Sequence, residues 1–423
     1  MNPVLVVQLA RFGDLVQTKR LILSLCAEEG RPVHLCVDES LAGLAAMLYP
    51  GVRVHAVIAH GTGLAKAPAL ELAQAMLTKN REVFQILAAC NFERVYNLNF
   101  SPLNFRVAAL FDPRTVLGHR WQAGQESIGL WAGLAMRWSS MRRLGLNIAD
   151  FWAWHHAAPV APAQVNPQAS GRGGGIGVVM AGRESRRSLP PKELAGIVAT
   201  LRELRGGALT LLGSASEARA ARALQRELPA RHAEACRNLC GKTSLAELPE
   251  VVGGLDLLVT PDTGTMHLAA HLGVPVLATF LSSAWCFETG PYGLGHMVLQ
   301  AQRDCLPCLE SRPCPTSVEC LQPFADSRLH RYLATGDARH LPEDLVVLDS
   351  GVDALGVNYR ARAGLDMQEN QRTAFRTFLS THLGLEGGIT TAESAQFAQR
   401  FYAERDWLGA DPALPDFSTR MIE

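Results

Sequence analysis

Residues 255–280 read LDLLVTPDTGTMHLAAHLGVPVLATF. The run Leu255–Thr260 is short, apolar and rich in Val and Leu, which predicts a strand buried on both faces, as in a parallel sheet. The polar stretch Asp262–His267 (DTGTMH) interrupts it. Met266–Leu272 then has helical spacing, and Val274–Phe280 reads as another strand. Strand, turn, helix and strand in this order form a βαβ unit, whose strands lie parallel and whose crossover is right-handed.

The same alternation extends outward. Upstream come a strand at Ile176–Met180, a helix at Pro191–Leu204, a strand at Leu209–Leu212 and helices at Glu217–Leu228 and Ser244–Val252. An independent series opens the chain, with strands at Val4–Gln8, Val33–Val37, Arg94–Asn99 and Val116–Gly118. A turn at Leu9–Gly13 and a helix at Leu15–Ala27 follow the first of these strands. Between the two series, residues 157–175 (AAPVAPAQVNPQASGRGGG) lose bulky apolar side chains to Pro, Gly, Ala and Gln, which marks a linker. The expected organisation is α/β: a Rossmann-like domain over 1–160, a linker over 161–175, and a second Rossmann-like domain over 176–323. Ligands of two such doubly wound halves bind at a cleft, outside the carboxyl ends of the strands. Beyond Phe324 the pattern weakens, and 324–423 reads as a helical extension with helices at Asn370–Leu383 and Thr391–Trp407. Thr390 and Glu393 have capping-box spacing before the second of these.

Composition narrows the function classes. Forty Lys plus Arg against forty Asp plus Glu leave no global field to attract nucleic acid. The opening MNPVLVVQLARFGDL lacks the basic and long apolar regions of a secretory signal, and no run approaches the length of a membrane span, so a cytoplasmic protein is expected. Peripheral contact with the cytoplasmic face of an inner membrane stays open. Five of the seven tryptophans fall between Trp121 and Trp154, near Arg137, Arg142 and Arg143. Such a stretch can rest on an anionic interface or form core.

The DTGTMH turn is the strongest chemical signal. A helix start offers unpaired N–H groups and partial positive charge, which suit a phosphate. Gly264 permits close approach, Thr263 and Thr265 add hydroxyls, and Asp262 can accept bonds from sugar hydroxyls. The plainer reading is that Asp262 or Thr263 caps the helix and His267 packs within it. The stretch NLCGKTSLAELPEVVGGLDLLVTPDTGTMHLAAHLGVPVLATF, the later TGPYG (Thr289–Gly293), VYNLNFS (Val95–Ser101) and the opening VLVVQLARFGDLVQT occur in a fixed order. Together they resemble glycosyltransferase family 9, the ADP-heptose:lipopolysaccharide heptosyltransferases, over residues 1–322.

That resemblance implies a GT-B fold, with acceptor on the first domain and donor nucleotide-sugar on the second. It also implies metal-independent transfer with inversion at the anomeric carbon and no cofactor; the nucleotide sugar, ADP-heptose in this reading, is a substrate. The acceptor would be a glycolipid or other glycan. Asp14, after Gly13, takes the place of the general base; an N-cap role competes for it. Gly13 and Lys19 would face the acceptor. Lys19 stands where the family has proline, and Lys19 and Arg20 read equally as a solvated helix face. On the donor side, Asp262, Thr263, Gly264, Thr265 and His267 are joined by Arg183 and Arg187 from RESRRSLP. Arg187 replaces a family lysine and Leu189 a tryptophan, and a solvated basic turn competes. Lys242 and Thr243 would lie near the nucleoside, or form a plain turn.

Cys305, Cys308, Cys314 and Cys320 begin like a metal knuckle but lack the paired second half. Reduced thiols or a disulfide is the ordinary reading, with no catalytic metal expected. Two other functions stay open: a GT-B nucleotide-sugar 2-epimerase, against which Gly-Asp and the DTGTMH turn argue, and a non-catalytic sugar-binding or glycan-assembly protein.

Overall fold

The computed structural model describes residues 1–59, 69–138, 143, 145–180, 185–309, 311–385 and 391–402. Contacts divide the chain into two compact units. The first comprises 1–140, 149–160 and 374 onward; the second comprises 141–148 and 161–373.

The first unit holds strands β1 (Val4–Gln8), β2 (Val33–Asp38), β3 (Arg53–Val57), β4 (Arg94–Asn97), β5 (Val116–Gln122) and β6 (Gln125–Ile128), in the order β3-β2-β1-β4-β5-β6. All neighbouring pairs are parallel except β5–β6. Every residue of β1 and β2 is buried, as expected of central strands covered on both faces. The chain leaves β1 toward β2 on one side, while β4 pairs on the other. The carboxyl ends of β1 and β4 therefore flank a topological switch point, where ligands of such sheets bind.

The second unit holds β7 (Ile176–Val179), β8 (Leu209–Leu212), β9 (Cys236–Asn238), β10 (Leu257–Pro261), β11 (Val276–Phe280), β12 (Met297–Ala301), β13 (Leu345–Val352) and β14 (Val357–Ala363). Their order is β14-β13-β12-β11-β10-β7-β8-β9, parallel from β12 to β9. The switch point here falls between β7 and β10.

Three readings need correction. Residues 324–423 are not a separate helical extension: β13 and β14 add antiparallel to β12, and the chain from 374 onward belongs to the first unit. In β13 the run Leu345–Leu348 is apolar and buried, whereas β14, at the sheet edge, alternates apolar with polar and charged residues. The helix expected over Leu15–Ala27 is two helices, Phe12–Gln17 and Lys19–Cys26, meeting at Thr18. Thr18 is fully buried, and its hydroxyl donates to the Asp14 carbonyl at 2.8 Å, a local bond that competes with helix continuity. Thr390 lies outside the described residues; the last helix, Ala392–Tyr402, is capped instead by Thr391 and Ser394, each donating its backbone N–H to the other's hydroxyl.

Arg20 is no solvated charge. It is 1% exposed and pairs with the equally buried Asp150 at 2.6 Å, while its Nε donates to the Val160 carbonyl. Trp131, Trp138, Trp152 and Trp154 are buried too; Trp131 and Trp138 meet edge-to-face, and Trp138 packs on Phe375. The tryptophan-rich stretch is therefore mostly core. Phe375, Phe378, Phe397 and Phe401 of the last two helices continue that aromatic cluster. Among the described residues no helix is long and apolar enough to cross a membrane. Arg142 lies outside them.

Candidate active site

In the first unit, the residues after β1 carry the candidate base. Asp14 is not the N-cap of its helix; Arg11 is, and Asp14 stands three residues further on. Its Oδ2 accepts the Arg11 backbone N–H at 3.0 Å. Burial raises the Asp14 carboxyl above its ordinary value, only partly offset by that hydrogen bond and by the Arg11 charge. A carboxylate with a raised pKa is a stronger base than a free aspartate, which is the property an acceptor hydroxyl needs.

Three polar residues that the sequence reading passed over hold this loop. Gln8, fully buried at the end of β1, donates from Nε2 to the Thr18 hydroxyl at 3.0 Å. Asn99, beyond β4, accepts the Leu9 backbone N–H at 2.9 Å. A glutamine inside the apolar run VLVVQLA was the available signal, since a buried amide must find partners. Lys19 opens the second helix and is half-buried. Desolvation lowers its pKa to about 8. Gly13 precedes Asp14 in the first turn.

In the second unit, both strands flanking the switch point deliver side chains. Beyond β7, Arg187 ends the 3₁₀ turn Ser185–Arg187; Arg183 lies outside the described residues. Beyond β10, Thr263 caps the helix Gly264–His271, its Oγ accepting the Met266 N–H at 3.3 Å. Thr263 thereby takes the capping role and leaves the Asp262 carboxylate to other partners. Asp262 Oδ2 accepts the Thr289 hydroxyl at 3.0 Å and lies 3.4 Å from Arg187 Nη1. Arg187 Nε donates to Ser283 Oγ at 2.8 Å. Gly264 and Thr265 occupy the first helical turn, whose N–H groups lack intrahelical partners.

His267 is buried in that helix, its Nε2 3.7 Å from Asp262 Oδ1. Burial lowers its pKa to about 3, so at neutral pH it is uncharged and the contact is no ion pair. Leu189 is buried core. Lys242 and Thr243 follow the edge strand β9, two strands from β7, and the Lys242 ammonium donates to the Asn238 carbonyl at 3.2 Å. The structure thus gathers Arg187, Asp262 and the helix start with Ser283 and Thr289, and sets Lys242 and Thr243 apart.

The cysteine segment borders the same region. The Cys308 N–H donates to the Ser282 carbonyl at 3.0 Å, and Cys314 Sγ accepts the Val318 N–H at 3.2 Å. Among the described residues no group of three or more His, Cys, Asp or Glu is placed to hold a metal ion.

The sequence and the fold have counterparts among known proteins. Residues 192–317 match the model of glycosyltransferase family 9 (heptosyltransferase). Lipooligosaccharide heptosyltransferase 2 of Haemophilus influenzae is 36% identical over 75 residues; the match spans 18% of this chain and only 22% of that relative. The structure of E. coli ADP-heptose LPS heptosyltransferase II superposes with a TM-score of 0.51 at 18% identity, covering 70% of this chain and 90% of that one. An E. coli heptosyltransferase solved with ADP gives 0.51 at 19% identity, covering 71% and 93%. These likenesses show the fold, GT-B, built of two Rossmann-like units. Over residues 192–317 the chain is thus similar to glycosyltransferase family 9 (heptosyltransferase), and it spans about a fifth to a quarter of the length of the curated heptosyltransferases it matches.

Proposed function

We propose that the chain is an inverting glycosyltransferase that moves a sugar, heptose from ADP-heptose, onto a hydroxyl of a lipopolysaccharide core or related glycan. The observation that carries this is the convergence of Arg187, Asp262 and the amides around Thr263–Thr265 at the switch point of the second sheet. A cation beside an N–H-rich helix start suits a nucleoside diphosphate, and Asp262 suits sugar hydroxyls.

In the reaction, the acceptor oxygen attacks the anomeric carbon while Asp14 takes its proton. The bond from that carbon to the diphosphate oxygen breaks, and ADP departs with the electron pair. Attack opposite the leaving group inverts the centre. Arg187 and the helix start offset the charge that develops on the diphosphate. Lys19 and Gly13, beside the base, face the acceptor.

ADP titration by calorimetry tests the donor site. Arg187→Ala removes the cation and Gly264→Val places bulk on the amides. Each is expected to weaken ADP at least tenfold, the lower end for a charge-assisted hydrogen bond worth about 1.5–3 kcal/mol. Unchanged affinity in both variants would place the donor elsewhere. Release of ADP from ADP-heptose only when a glycan acceptor is present separates transfer from epimerisation and from binding without turnover.

Turnover is also expected to survive EDTA. Arg187 and the helix start supply the positive charge that a D-x-D-bound cation supplies in metal-dependent transferases, and the sequence has no such carboxylate pair. Loss of activity in EDTA with recovery on adding magnesium or manganese would refute this.

A further inference from the structure

Arg187 reaches the phosphate region from a short turn, where a long side chain has many rotamers. Among the described residues, Ser283 and Asp262 hold its guanidinium. Nε donates to Ser283 Oγ at 2.8 Å, and Nη1 lies 3.4 Å from Asp262 Oδ2. Ser283 is only 3% exposed, so its hydroxyl lies in a largely dry environment where a hydrogen bond to a charged donor is strong and its loss costly.

The backbone that presents Ser283 is itself pinned. As the chain leaves β11, Ser282 adopts φ 60°, in the left-handed region that a non-glycine residue enters only under constraint. The Ser282 carbonyl accepts the Cys308 N–H. Three residues beyond Ser282, Trp285 Nε1 donates to the Arg143 carbonyl at 3.3 Å, and further on Asn147 donates to the Gly290 carbonyl. Segment 282–290 therefore forms a rigid wall beside the Asp262 helix start, and Thr289 at its end bonds the same Asp262 oxygen that Arg187 approaches.

We propose that Ser283 is a positioning residue for donor binding, which fixes the plane of the Arg187 guanidinium toward the diphosphate. The proposal rests on the phosphate role given to Arg187 above. Ser283 acts through Arg187 and not on the ligand itself. A guanidinium already ordered by Ser283 and Asp262 loses little conformational entropy when phosphate arrives. Without the hydroxyl, Nε loses that acceptor and the side chain samples other rotamers.

Lysine has no Nε–H donor of this kind, which makes Arg187→Lys the discriminating background. In the full chain, Ser283→Ala is expected to weaken ADP about five- to tenfold by calorimetric titration. Ser283→Thr, which keeps the hydroxyl, should stay within about twofold. In an Arg187→Lys background, adding Ser283→Ala should change ADP affinity by less than about twofold, because the pair is already broken. Thermal unfolding midpoints within a few degrees of wild type establish that the variants fold. Equal weakening by Ser283→Ala in both backgrounds, or none in the Arg187 chain, would overturn the proposal. If Arg187→Ala itself leaves ADP affinity unchanged, the phosphate assignment fails first and takes this one with it. If Arg187→Ala weakens ADP while Ser283→Ala does not, only the positioning role falls.

Discussion

Asp14→Asn is expected to lower turnover by about 100- to 10,000-fold, the range typical of losing a general base, with ADP affinity within a few-fold of wild type. Asparagine retains a side-chain oxygen to accept the Arg11 N–H, so the cap at the helix start survives while the proton acceptor is lost. ADP affinity is expected to hold because the proposed donor residues Asp262, Thr263 and Arg187 belong to the other unit. The pH profile carries a second signature. The base works deprotonated, and burial raises the Asp14 carboxyl. Activity should therefore fall as pH drops through a value above the ordinary aspartate pKa of about 3.9, and rise to a plateau above it. Near-wild-type turnover in a folded Asp14→Asn protein would show that another group is the base. An acid limb at the pKa of a free aspartate would contradict the role of burial.

The second large effect concerns stability. Arg20→Met is expected to destabilise the first unit by about 3–5 kcal/mol, because it removes the guanidinium that pairs with the fully buried Asp150 carboxylate. The bond from Arg20 Nε to the Val160 carbonyl is lost as well. Adding Asp150→Leu should recover most of that loss, since apolar side chains of similar volume substitute for a buried pair far better than one half of the pair does. Urea denaturation followed by tryptophan fluorescence reads both, as the Arg20 guanidinium lies 5.5 Å from the centre of the Trp154 ring. A double variant no more stable than Arg20→Met alone would mean that the damage comes from lost packing and not from the broken ion pair.

Arg20 also shows where sequence reading stops. Lys19 and Arg20 are adjacent in sequence and alike in type, yet one is half-buried at a helix start and the other lies fully inside, paired with a residue 130 positions away. Periodicity reports which face of a helix is apolar; it does not report a distant carboxylate that makes burial of a charge tolerable. Ser283, and the bond from Thr289 of the TGPYG stretch to Asp262, were missed for the same reason. Each is an ordinary hydroxyl, Ser283 in a loop and Thr289 ending the short helix Cys286–Thr289, until the fold brings it against Arg187 or Asp262. The cap at Thr263, by contrast, was among the local readings, because the residue types that accept N–H groups at a helix start are few.

The segment 161–175, read as a linker, packs within the second unit. The sequence by itself determined the alternation of buried strands and helices, and it singled out the two turns, Gly13–Asp14 and Asp262–Gly264, at which the proposed ligand chemistry sits. These follow from side-chain period and from backbone groups left unpaired at helix starts, and both are local properties. The tertiary structure alone decided the rest: β13 and β14 as the continuation of the second sheet, the return of the chain after residue 373 to the first unit, the burial of Arg20, and the grip of Ser283 on Arg187. Each of these depends on contacts between segments far apart in the chain. Their free energy comes from pairing and burial that no short window of sequence contains.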